Sequence, residues 1–147
     1  MPTDTIDIQL RAVVPAPEGV AVFLGTPKKV FVVYVDAAIG QILAIALGSI
    51  KKERPLTHDL MGNVFAAFGI KLERVVINDA IGATFYARMI LKMENELGVK
   101  LVEADARPSD AIVLAINQKK PVTITAPLFA KLEDASALMR KLTGRQN

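Results

Sequence analysis

One short polar pattern occurs twice in this 147-residue chain: Arg54-Pro55-Leu56-Thr57-His58-Asp59 and Arg107-Pro108-Ser109-Asp110. Each sets an arginine and a proline ahead of a hydroxyl residue and an aspartate, at a predicted helix start. Thr57 and Ser109 can accept hydrogen bonds from free backbone N–H groups as N-caps, while Asp59 and Asp110 meet the favourable end of the helix dipole. The same geometry suits a phosphate, since helix N-terminal N–H groups donate to its oxygens and Arg54 or Arg107 can grip two oxygens at once. Two such ends meeting in the fold would form one phosphate cleft. Capping and phosphate binding are compatible, and the residues alone leave both open.

His58 is the only histidine. Its ordinary pKa lies near neutrality, which makes it the natural general acid or base for nucleotide chemistry. A structural hydrogen-bonding role fits the same position on the flank of an apolar helical stripe. Hydrolysis of a phosphodiester commonly uses carboxylates to hold a divalent metal that activates water. Asp59, Asp79, Glu103, Asp105 and Asp110 are available, although none forms a recognised metal-spacing motif. Glu103 and Asp105 share one face of a strand, where a solvated surface explains them equally well. There is no cysteine, no Gly-x-Ser-x-Gly elbow, no Gly-x-x-x-x-Gly-Lys loop and no Gly-x-Gly-x-x-Gly fingerprint. Thiol and nucleoside-triphosphate chemistry are therefore not expected.

These residues need elements to hold them. Ile6 to Ala12 alternates apolar with polar, the period of a strand with one wet face. Val20 to Leu24 and Val30 to Val35 form a hairpin around Gly25-Thr26-Pro27-Lys28. Ala37 to Leu47 reads as a helix buried on several sides or pressed against another subunit. From Thr57 a second helix carries Leu60, Met61, Val64, Phe65 and Phe68 at helical spacing, with Gly69 placed for a left-handed C-terminal cap. Leu72 to Ile77 and Thr84 to Met93 make a long hairpin about residues 78–82, and Val99 to Ala104 adds a strand. A third helix spans about 109–118, a strand 122–125, and a final amphipathic helix about 128–142. Clustered strands argue for an α+β domain with a mainly antiparallel sheet and about four helices, residues 1–147 forming one unit.

A net charge of +3 and a pI near 9.3 are mildly favourable to a polyanion. The few aromatics, six Phe and two Tyr with no Trp, argue against a base-stacking platform of the single-strand-binding type. A hydrophobic content of 52% and mean hydropathy of +0.36 point to surface covered by a partner subunit, hence a homodimer or larger homo-oligomer. The longest apolar run, Ala37 to Leu47, is far short of the ~20 residues that cross a bilayer, so no membrane span is expected. Met1-Pro2-Thr3-Asp4 shows no secretory pattern, and a cytoplasmic location is the expectation.

Three ordered stretches carry a family resemblance: Arg54-Pro55-Leu56-Thr57-His58-Asp59-Leu60, Gly82-Ala83-Thr84-Phe85-Tyr86-Ala87-Arg88 and Asp105-Ala106-Arg107-Pro108-Ser109-Asp110-Ala111-Ile112. In order and spacing they resemble the signature of the bifunctional nuclease family, over about Ile6 to Leu132. The resemblance implies an α+β domain that assembles as dimers or larger oligomers and cleaves both DNA and RNA. By motif match it implies a site of His58, Asp59 and Asp110 as catalytic residues, with Arg54, Thr57, Arg107, Ser109 and Arg88 on the phosphate. Thr84 and Tyr86 would be neighbours, and Asp59 and Asp110 would hold any Mg or Mn ion. One departure is Ile39, where relatives often carry a glutamate; Asp36 is the nearby carboxylate. Two functions follow: a nuclease, or a non-catalytic oligomeric module binding nucleic acid or a phosphorylated ligand.

Overall fold

The period-two segments at the N-terminus become three antiparallel strands: β1 (Thr5–Ala16), β2 (Gly19–Gly25) and β3 (Val30–Val35). The structure is a computed structural model that describes residues 4–144; Met1 to Thr3, part of the segment read above for a secretory pattern, lie outside the described residues. Two helices follow, α1 (Ala37–Leu47) and α2 (Thr57–Ala67), then the antiparallel strands β4 (Ile70–Ile81), β5 (Thr84–Asn95) and β6 (Gly98–Ala106). The chain closes with α3 (Pro108–Gln118), β7 (Val122–Thr125), α4 (Ala126–Lys131) and α5 (Ser136–Thr143). Among the described residues, seven strands join one sheet in the order β3-β2-β1-β7-β4-β5-β6, and only the β4–β7 pair is parallel. The fold is α+β with a mostly antiparallel sheet.

Strand β2 shows how the core is divided. Its Val22 and Leu24 join the buried cluster with Leu43 of α1 and Ile112 and Leu114 of α3. Its Ala21 and Phe23, pointing the other way, pack with Leu138 and Met139 of α5. Helices α1 and α3 therefore cover one face of the sheet and α5 covers part of the other. Gly40 lets α1 approach β2 closely, because a Cβ there would stand 2.5 Å from a methyl of Val20. On α3, every residue from Ala111 to Ala115 is buried, as befits a helix wedged between the sheet, α1 and α2.

Helix α2 turns its apolar stripe outward. Leu60, Val64 and Phe68 are 57%, 45% and 71% exposed, whereas His58 is buried with only 8% exposure. The stripe marks the helix correctly, and Gly69 is left-handed at φ 70°, as a cap requires. The spacing does not say which side of the helix meets the core. The expected helix over 128–142 is instead two, α4 and α5, parted where the Asp134 carboxylate accepts from the Val30 N–H and from Ser136. No described helix is long and apolar enough to cross a membrane.

Candidate functional site

Helix α2 begins one residue earlier than a Thr57 cap requires. Leu56 occupies the cap position and Thr57 is the first helical residue, so the expected Thr57 cap is not formed. Asp59 does the work from the third helical position: its Oδ2 accepts the Leu56 N–H at 2.8 Å. Its Oδ1 accepts from Lys52 Nζ at 2.9 Å and from Asn117 Nδ2 of α3 at 3.2 Å. Partial burial pushes the Asp59 carboxyl up, but the Lys52 and Leu56 hydrogen bonds and the charges of Lys52 and His58 outweigh it, holding the group below its ordinary value.

Helix α3 begins in the same manner. Arg107 is the cap residue, Pro108 fills the first helical position, and Ser109 provides no side-chain cap. Asp110 faces back toward Arg107, which donates through Nε to Oδ2 at 2.9 Å and through a terminal nitrogen to Oδ1 at 3.3 Å. The Oδ1 atom also lies 2.8 Å from His58 Nε2. Burial raises the Asp110 carboxyl, yet the Arg107 and His58 hydrogen bonds and charges prevail and keep it below the ordinary carboxylate range. The same pairing with Asp110 raises Arg107 above its ordinary value, and the field of Asp36, the N-cap of α1, adds to this.

The two helix starts thus meet through one hydrogen bond between His58 and Asp110. The carboxylate makes His58 Nε2 the donor, which leaves the lone pair of the neutral ring on Nδ1. That atom is buried and has no hydrogen-bond partner. His58 also lines a cleft of about 600 Å³ between α2 and the second half of α3, together with Asp59, Asn63, Leu114, Asn117 and Gln118. On the outer side, the Arg107 side chain is 67% exposed, so its guanidinium is open to an incoming anion.

Four residues of the expected site are gathered here: His58, Asp59, Arg107 and Asp110. Thr57 lies beside them at the start of α2 and Ser109 at the start of α3, each without a capping role. Arg54 is exposed ahead of α2 and is a partner of neither aspartate. Arg88 belongs elsewhere. Its neighbours Ala87 and Met89 point into the core beneath α3, so Arg88, like Tyr86, projects from the opposite face of β5, across from Asp105 of β6. Thr84 is exposed at the far end of the β4–β5 hairpin.

Lys52 and Asn117 complete the cluster without having been singled out in the sequence. Lys52 is hidden in the charged run Lys51-Lys52-Glu53-Arg54. Asn117 follows Asp110 by seven residues, two helical turns, and that spacing on one face was the available signal.

Asp59 and Asp110 do not fit a divalent cation as they stand. All four of their carboxylate oxygens accept from nitrogen donors, and the ammonium of Lys52 and guanidinium of Arg107 occupy the positions a cation would take. Among the described residues no group of three or more His, Cys, Asp or Glu side chains is arranged to hold a metal ion.

Comparison with known proteins agrees with the resemblance read from the motifs. The family described as bifunctional nuclease domain matches residues 22–136. Two uncharacterized proteins of Mycobacterium tuberculosis, from strains CDC 1551 / Oshkosh and ATCC 25618 / H37Rv, are each 32% identical over 102 residues. Those residues cover 67% of this chain and 58% of each relative, so the match spans somewhat more than half the length of these curated relatives.

Proposed function

The chain belongs to the bifunctional nuclease domain family, and from that membership we propose that it hydrolyses phosphodiester bonds of DNA and RNA. The observation that carries the reading is the meeting of two helix starts at His58, Asp110 and Arg107. Arg107 presents an exposed, bidentate donor next to the N-terminus of α3, an arrangement suited to a backbone phosphate. In this reading Arg54, Thr57 and Ser109 add further donors for the substrate backbone. Asp110 fixes the imidazole and leaves Nδ1 as the basic atom, the arrangement of a general base oriented by a carboxylate. In this reading Nδ1 takes a proton from water as the water oxygen bonds to phosphorus, and the departing sugar oxygen receives a proton from solvent. Nδ1 is covered in the free protein, so this reading requires water to reach it through the cleft that His58 lines. Asp59 positions the start of α2 through Leu56, Lys52 and Asn117.

The reading includes a homodimer or larger homo-oligomer joined through α2. Leu56, Leu60, Val64 and Phe68 recur every four residues along its outer face, forming a ridge of the kind that packs into a like ridge on a second copy. Purified protein should cut single-stranded DNA and RNA. Clean protein giving no product, with or without several divalent ions, rejects the nuclease reading.

One observation favours a non-catalytic binding module. His58 is already tied to Asp110, Asp110 also to Arg107, and Asp59 to Lys52 and to Asn117 of α3, which is what a latch between helices requires. Salt-dependent binding of oligonucleotides without cleavage is its signature.

A further inference from the structure

The cleft between α2 and α3 holds a set of uncharged amides that phosphate binding does not use. Asn63 comes from α2, Asn117 and Gln118 come from α3, and Ala66 and Ile70 supply accessible apolar surface, with the buried Leu114 behind them. The Gln118 amide lies over bare backbone: its Nε2 is 3.6 Å from where a Cβ on Gly62 would be. Asn117 spends one N–H on Asp59, which leaves its carbonyl oxygen to accept. Lys71 is the one cationic residue in the lining, and Asp59 the one carboxylate.

We propose that this cleft is a nucleobase subsite, in which Asn63, Asn117 and Gln118 read the edge of a base that rests on the Ala66 and Ile70 side chains. The proposal rests on the nucleic-acid reading of the neighbouring His58–Asp110–Arg107 site and adds where the base of the substrate goes. An amide offers donors and an acceptor together, which is what the mixed edge of a base presents and what a bare phosphate or a metal ion does not need. At about 600 Å³ the cleft falls in the range of small-molecule sites. Position agrees too. Asp110 and Gln118 are eight residues apart on α3, about 12 Å of helix, so a base at Gln118 leaves its sugar and phosphate directed along α3 past His58 toward Arg107.

The test compares ligands that differ only in the base. Nucleoside monophosphates and ribose 5-phosphate are titrated into the full protein by calorimetry. The expected result is that at least one nucleoside monophosphate binds about tenfold or more tightly than ribose 5-phosphate. Asn63→Leu and Gln118→Leu each delete one amide at similar volume, and each should erase most of that preference without changing the ribose 5-phosphate affinity. A circular dichroism melt checks that both variants are folded. Gly62→Met, which fills the cleft from a position where helix is favoured, should do the same and guards against misfolding of either amide variant. Equal affinity for ribose 5-phosphate and every nucleoside monophosphate overturns the subsite, as does an unchanged preference in the folded variants. Base preference in a protein that cuts nothing leaves the subsite standing and removes the nuclease reading. Cutting that is indifferent to all three substitutions, with no base preference, does the reverse.

Discussion

His58 Nε2 lies 2.8 Å from Asp110 Oδ1, joining the starts of two helices that are 52 residues apart in the chain. The contact couples packing to chemistry. The histidine is nearly the whole of what α2 buries at its first turn, so the residue that fixes the helix is also the one whose free nitrogen faces inward.

Replacing His58 by glutamine separates these two duties. Glutamine retains an N–H that can donate to Asp110 but has no group titrating near neutrality. If His58 transfers protons, cutting should fall about 10²- to 10⁴-fold while the melting temperature stays within a few degrees of wild type. A parallel His58→Leu variant removes the donor altogether and should lose roughly 1–3 kcal/mol of stability. Wild-type cutting by the glutamine variant assigns His58 to structure alone.

Asp110 gives a pH signature. Its folded carboxyl titrates below the ordinary range because Arg107 and His58 favour the charge more than burial opposes it. A depressed folded value means that the stability from ionised Asp110 is present in full above the unfolded value near 3.9 and is lost as pH falls through the folded one. Asp110→Asn should therefore cost roughly 1–2 kcal/mol at pH 7, a figure reduced for partial exposure. The difference from wild type should shrink below about pH 4. Urea unfolding at intervals from pH 7 to pH 3 measures it, and a constant gap across that range contradicts the assignment.

The fold was legible where a pattern is local. The apolar segment Ala37–Leu47 and the short strand Val122–Thr125 have the bounds read from sequence, since apolar composition and β-branching mark them without reference to distant residues, although in the single chain the helix buries only the face of Gly40, Leu43 and Ala46 and not several sides. Helix α2 was legible as a helix but not in its orientation: spacing groups Leu60, Val64 and Phe68 on one side, and only tertiary contacts with α3 turn His58 inward. The expected Thr57 and Ser109 caps failed because Asp59 and Pro108 settle the first turns by other means, a reach back to the Leu56 N–H and a residue with no N–H to satisfy. Arg88 shared a motif with the site, yet strand alternation sends it to the other side of the sheet. The partnership of Asp59 with Asn117 has no sequence signal except the seven-residue interval on α3.

Occupied carboxylates carry a prediction about metal. With Lys52 and Arg107 bound to Asp59 and Asp110, millimolar Mg²⁺ or Mn²⁺ should leave the melting temperature of the free protein unchanged, because no ligand preferring the folded state raises stability unless it binds. A rise of several degrees that is lost in Asp59→Asn or Asp110→Asn would show that the carboxylates release their cationic partners to a metal.

The outward ridge of α2 predicts assembly. Fully burying a side chain of this size is worth about 1.5–3 kcal/mol, and because these four are 36–71% exposed, covering them on two copies recovers roughly half of that each, the same order as the cost of association. Light scattering at micromolar concentration should give at least a dimer. Phe68→Glu should shift it to monomer, because the residue is 71% exposed in the single chain and a carboxylate there is costly only when a second copy covers it. The same variant should melt as a folded species, since Phe68 is a helix C-cap whose side chain adds little to the core. The position also separates assembly from chemistry: Phe68 lies outside the His58–Asp110–Arg107 cluster, so a monomeric Phe68→Glu that still cuts nucleic acid places a complete site in each subunit. A wild-type protein that is monomeric at micromolar concentration removes α2 as an interface between copies.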